Sequence, residues 1–182
     1  MNLSLPLSTR VLHWIVAVGI IFLWCTGWYM AYAEVWSLYL IHKSIGVILF
    51  VLIVARVIVR LKNGMPEPVG TQTRLLHRLA KTTHWGLLVI TVIMPISGAF
   101  YSWASGHNFG VFAFDIVPDN PARDEMGEVL PRNLQVQECA LAVHQWVGYL
   151  LAGLLGLHLA GALKHHFIDR DNTLRRMFKK ID

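Results

Sequence analysis

The chain has 182 residues, is 55% hydrophobic and only 15% charged, and has a mean hydropathy of +0.49. A soluble domain carries roughly 25% charged residues, so this composition excludes one and indicates an integral membrane protein. The net charge of +5 sits at the ends of apolar stretches and accompanies no recognition motif, so no nucleic-acid partner is expected.

Four apolar stretches follow in chain order, at about 10–32, 38–61, 75–103 and 138–167. Each holds enough residues to cross a hydrocarbon core of roughly 30 Å as a helix. The strict alternation of a barrel strand is absent, which leaves helices as the spanning form. The first stretch is too long for a signal peptide's apolar region and no small-residue cleavage site follows it, so it is expected to remain as the first helix. Residues 33–37 form a short link that makes the first two helices antiparallel neighbours. The second link contains Gly64, Pro66, Pro68 and Gly70, a turn-rich break. Pro95, followed by Gly98, is expected to kink the third helix. The third link, 104–137, is long, and its Phe109, Phe112 and Phe114 suit a segment lying against the membrane interface. The predicted fold is all-α: one domain over residues 1–182, a transmembrane four-helix bundle in membrane lipid.

All of the 16 basic residues except Lys43, Arg123 and Arg132 fall on the side of the two termini. The opposite side collects Asp115, Asp119, Asp124, Glu125 and Glu128. The positive-inside rule therefore predicts cytoplasmic termini and an outer long link.

Cys25 and Cys139 form no C-x-x-C motif, which excludes covalent haem attachment and a thiolate zinc site. They read as small apolar residues.

Nine histidines are many for so apolar a chain, and ionisable residues within spans are costly. His144 and His158 are separated on the fourth helix by about 40° around the axis and about 21 Å along it. They therefore share a face at opposite leaflets. His42, near the outer start of helix two, matches the depth of His144. His13, near the inner start of helix one, matches that of His158. His84 on helix three also lies toward the inner side, one face with His77, and is a rival partner for His158. Two stacked imidazole couples suit two iron porphyrins, each six-coordinate and closed to oxygen. A zinc site, which needs four converging ligands, fits less well.

Several segments carry a family resemblance: R-V-L-H-W at Arg10–Trp14, L-I-H-K-S-I-G at Leu40–Gly46, V-H-Q-W at Val143–Trp146, and L-H-L-A-G-A-L-K-H-H-F-I-D-R-D-N-T-L-R-R-M ending at Met177. In these pieces, and in the order and spacing of all four spans, the chain resembles the bacterial cytochrome b561 family of small dihaem membrane cytochromes. The resemblance implies two haem b groups, ligated by His13 with His158 on the inner side and by His42 with His144 on the outer side. It also implies a place in the bacterial inner membrane and electron exchange with ubiquinone. One member type oxidises superoxide and passes the electron to ubiquinone.

Further candidates surround these ligands. Lys164, His165 and His166 close the fourth helix, and His165 lies about 20° and roughly 10 Å beyond His158. These three are candidates for a quinone headgroup site, because histidine can supply its hydrogen bond and proton. Arg56 is a candidate partner for haem carboxylates, whereas Arg60 also suits snorkelling to headgroups. Lys43 could serve an outer haem or steer an anion. The expected function is electron transfer across the membrane between a periplasmic redox partner, donor or acceptor, and ubiquinone. Alternatives are a superoxide:ubiquinone oxidoreductase, a haem-bearing anchor subunit of a partner enzyme, and a proton-relay transporter without haem.

Overall fold

The computed structural model describes residues 5–64 and 73–180. Its element order is α1 (Leu7–Tyr32), α2 (Leu38–Asn63), α3 (Arg74–Ala104), β1 (Phe109–Val111), β2 (Phe114–Val117), α4 (Leu134–Phe167) and the short α5 (Arg175–Phe178). The four long helices are all apolar and long enough to cross a membrane. The architecture is a helical bundle of four potential spans. Pro66, Pro68 and Gly70 of the turn-rich link lie outside the described residues.

Local chemistry sets the helix ends. Asn133 accepts a hydrogen bond from Val136 N at 3.0 Å, so α4 starts at Leu134 rather than near Glu138. Thr73 caps α3 through Leu76 N at 3.4 Å. Gly64 follows α2 with φ of 69°, a conformation that glycine adopts without steric cost. The α3 helix continues through Pro95.

The bundle is built from two hairpins, because α1 packs mainly on α2 and α3 on α4. Two small apolar clusters join them. Val16, Leu49 and Ile53 form one, with Val92 reaching in from α3. Leu87, Ile90 and Leu151 form the other, with Ile20 reaching in from α1. Leu151 lies midway between His144 and His158 on α4, so these clusters fill the middle level of the bundle. Outside, the helices are apolar: Val18 is 63% exposed and Val51 65%. Such a surface is stable against acyl chains and not against water. Cys25 and Cys139 are free and exposed.

Among the described residues the β structure lies in the link after α3. It folds into an antiparallel hairpin, β1 with β2. Phe112 takes φ of 51° at the turn, where glycine or asparagine would have given a sequence signal. Tertiary bonds compensate. Phe112 N donates to the buried Ser44 Oγ at 2.8 Å, and Lys43 Nζ donates to Asn108 O at 2.5 Å. The hairpin is thereby fastened to the first turns of α2 and forms a cap over that end. The cap end and the opposite, terminal end define the two faces of the bundle.

Candidate functional site

Two imidazole couples stand at the two ends of the bundle. At the cap end, the rings of His42 and His144 have centroids 6.3 Å apart with planes crossed at 80°. At the terminal end, His13 and His158 are 6.1 Å apart with planes at 62°. Each couple links a helix of the first hairpin to α4. His84 stands beside the terminal couple, 5.1 Å from His158, and its Nδ1 donates to Ala80 O at 2.6 Å. His77 is exposed.

The cap-end rings are held by neutral groups. His144 Nδ1 donates to Met94 O at 3.1 Å and lies 3.0 Å from Ser97 Oγ, which itself donates to Met94 O at 2.8 Å. These bonds place the proton on Nδ1 and turn an unprotonated Nε2 outward, the tautomer that binds a metal. His42 Nδ1 lies 3.4 Å from Thr26 Oγ1, whose own proton goes to Phe22 O at 2.9 Å. Two glycines give the rings room. A Cβ at Gly27 would stand 3.0 Å from His42 Cε1, and one at Gly98 would stand 3.1 Å from His144 Cε1. Lys43 is engaged with Asn108 O and lies among the charges of Asp119 and Asp115. It is not an open anion receptor.

The terminal end is cationic. Arg56 Nη2 lies 3.4 Å from His13 Nδ1, and Arg60 donates to Gly64 O at 3.1 Å. Further along α4, His165 Nδ1 donates to Asp171 Oδ2 at 2.7 Å and lies 3.2 Å from Asp169 Oδ2. Lys164 Nζ meets Asp169 at 2.7 Å. The His165, Asp169 and Asp171 donor atoms are close enough to hold a metal ion, but the Lys164 ammonium already occupies one carboxylate. The group is therefore an ion-pair network. Burial pushes the Asp171 carboxyl up, but hydrogen bonds from Thr173 and His165 outweigh it and hold it below the ordinary value. His166 packs its ring edge on Phe167 at 4.8 Å, apart from that network.

Nothing in the sequence alone marks Ser97, Met94, Thr26 or Gly27 as neighbours of the ligands. Their roles arise from contacts between helices, and a serine or glycine in an apolar span carries no mark of its neighbour. Gly98 was read only with Pro95, as part of a kink.

The donor set fits an iron between each couple. Two metal–nitrogen bonds of about 2.0 Å, with roughly 1.1 Å from nitrogen to centroid at each end, would set two imidazole centroids about 6.2 Å apart. Both couples have that separation, whereas His84 and His158 are too close for it. The bond from His144 Nδ1 to Met94 O is the kind of outer hydrogen bond that orients such a ligand.

Comparison with known proteins agrees with this chemistry. The family model described as prokaryotic cytochrome b561 matches residues 4–180. "Cytochrome b561 homolog 2" of Escherichia coli (strain K12) is 32% identical over 96% of this chain and 86% of its own length. "Probable superoxide oxidase CybB" of Yersinia pestis is 26% identical over 93% of this chain and 92% of its own. "Cytochrome b561 homolog 1" of Escherichia coli (strain K12) is 26% identical, with 93% of each chain covered. With this match along nearly its whole length, the chain belongs to the prokaryotic cytochrome b561 family of membrane haem proteins of electron transport.

Proposed function

We propose that the protein is a dihaem b-type cytochrome that carries electrons across the bacterial inner membrane between a periplasmic redox partner at the cap end and ubiquinone at the terminal end. The reading rests on two imidazole couples, 6.3 and 6.1 Å apart, at opposite ends of one apolar bundle. His42 with His144, and His13 with His158, would be the axial ligands of two haem b groups. Bound haem supplies reversible one-electron redox chemistry. The chain positions the ligands, sets the His144 tautomer through Met94 O and keeps the middle level dry with its two apolar clusters.

Orientation follows from charge. The terminal end, with Arg60, Lys164, Arg175 and Arg176, faces the cytoplasm, and the acidic cap faces the periplasm. At the cytoplasmic end, His165 is the proton-exchanging group of a quinone site, with Lys164 and His166 beside it. Asp169 and Asp171 hold the Nδ1 side of His165. The double variant His165→Ala, His166→Ala is expected to slow haem reduction by ubiquinol about tenfold, the loss of one charge-assisted hydrogen bond. Stopped-flow absorbance gives the rate. Unchanged kinetics would remove these residues from the quinone site.

A relative named as a probable superoxide oxidase supports a second reading, in which the outer donor is superoxide. The cap chemistry weighs against it. Lys43 is tied to Asn108 and lies among Asp115 and Asp119, so it is not placed to draw in an anion. An anchor subunit for a soluble partner would use the same two haems and would co-purify with that partner.

A further inference from the structure

A groove of about 520 Å³ runs along α3, lined by Lys81, Thr82, Trp85, Gly86, Val89 and Ile90. These positions recur at i, i+1, i+4, i+5, i+8 and i+9, so they form one face of the helix. The groove is polar at one end, where Lys81 and Thr82 stand, and apolar from Trp85 onward. Gly86 makes the recess. A Cβ there would stand 3.0 Å from Leu154 Cδ1, so α4 comes close and no side chain of α3 fills the space. Trp85 and Val89 beside it are exposed.

The polar end continues into a row of cations. Arg74, Arg78 and Lys81 follow at spacings of four and three residues, which keeps them within about 60° of one another around the axis. All three are exposed. The helix contains no acidic residue, and among the described residues no carboxylate forms a salt bridge with any of the three. Like charges one turn apart repel, so the row favours an anion.

Length and depth indicate which anion. From Lys81 to Ile90 the groove runs about 14 Å along the helix axis. That is close to one leaflet's half of a hydrocarbon core of roughly 30 Å. Its polar end lies with the cationic terminal end of the bundle, at the level of lipid headgroups. A free phosphate would leave the apolar part uncovered, and a zwitterionic lipid would bring an ammonium against the cations.

We propose that this face of α3 binds one anionic phospholipid, with the headgroup phosphate held by Arg78 and Lys81 and an acyl chain laid in the groove beside Gly86. Arginine meets a phosphate with two parallel hydrogen bonds, and lysine adds a point charge. Basic recesses beside transmembrane helices at the cytoplasmic face suit such headgroups. Neither haem nor quinone takes part, so the site stands or falls apart from the electron-transfer reading.

The test is native mass spectrometry of the purified protein in detergent, titrated with phosphatidylglycerol or with phosphatidylethanolamine of the same chains. Wild type is expected to hold one phosphatidylglycerol about fivefold more tightly than phosphatidylethanolamine. Lys81→Gln and Arg78→Gln are each expected to weaken phosphatidylglycerol about fivefold, the effect of one cation near an anionic lipid surface. Lys81→Arg is expected to keep the affinity. Val89→Trp fills the groove, leaves every charge in place and is expected to weaken binding as well. Lys62→Gln removes an exposed cation of α2 at the same end and is expected to change nothing. Equal affinity of wild type for the two lipids would overturn the proposal. An equal loss in Lys62→Gln and Lys81→Gln would reduce the effect to net charge and overturn it too. Unchanged binding in both Lys81→Gln and Val89→Trp, or displacement of the lipid by inorganic phosphate alone, would do the same.

Discussion

Replacing His144 with alanine is expected to halve the haem content, from two per chain to one, and His158→Ala is expected to do the same at the other end. On the proposed pairing each ring would supply one of the two bonds that hold its haem, and the groups that contact His144 offer no replacement. Met94 offers its carbonyl and Ser97 its hydroxyl to Nδ1, and Gly98 has no side chain. At the other end His84 stands beside the couple, 5.1 Å from the His158 ring. His84→Ala is expected to leave both haems in place, because its own Nδ1 is bound to Ala80 O and its spacing to His158 does not accommodate an ion between them. Losing haem also loosens the fold. The hairpins share two small clusters, and each histidine couple joins one hairpin to the other. A ligand held a thousandfold above its dissociation constant stabilises the folded state by about 4 kcal/mol. The double variant His144→Ala, His158→Ala is therefore expected to melt well below wild type. The pyridine haemochrome assay and thermal melts in detergent measure both effects. Full haem content in His144→Ala would remove that residue from the site.

Substituting Arg56 with glutamine is expected to lower the midpoint potential of the His13–His158 centre by about 100 mV. The oxidised centre carries one more positive charge than the reduced one, so a neighbouring guanidinium favours reduction. Arg56 Nη2 lies 3.4 Å from His13 Nδ1, one imidazole width from the redox centre. At an effective dielectric of 20 a unit charge there contributes about 2 kcal/mol, and 2.3 kcal/mol corresponds to about 100 mV. Removing Arg56 would also leave porphyrin carboxylate less compensated, which shifts the potential in the same direction. The cap-end couple lies at the opposite end of the bundle from Arg56 and is expected to keep its potential. A spectroscopic redox titration resolves the two waves. A fall in both waves, or in neither, would contradict this assignment of Arg56.

The spans are legible in the sequence because membrane helices must be apolar throughout, so hydropathy finds them without tertiary knowledge. The spacing of His144 and His158 on one helix is legible for a similar reason, since helical geometry converts fourteen residues into one face at two depths. Their proximity to His42 and His13 follows from antiparallel hairpins and matched depth, and the rings do meet in those pairs. The start of α4 is less legible because Asn133 extends it into a polar stretch that hydropathy ignores. The cap hairpin is hidden because its turn uses Phe112, and because its anchors, Ser44 and Lys43, lie far back in the chain. The return of the C-terminal segment onto α1 is hidden for the same reason: Trp14 and Met177 meet across 163 residues. Arg176 therefore reads in the sequence as one more cytoplasmic cation, although it is buried at the end of the bundle.

The pairing of four histidines about two metal centres is tested most directly by counting haem in the purified wild-type protein. An absorption spectrum with a pyridine haemochrome assay, set against protein concentration from amino-acid analysis, is expected to give two protohaems per chain. A colourless protein, or one haem per chain at saturating haem supply, would contradict it.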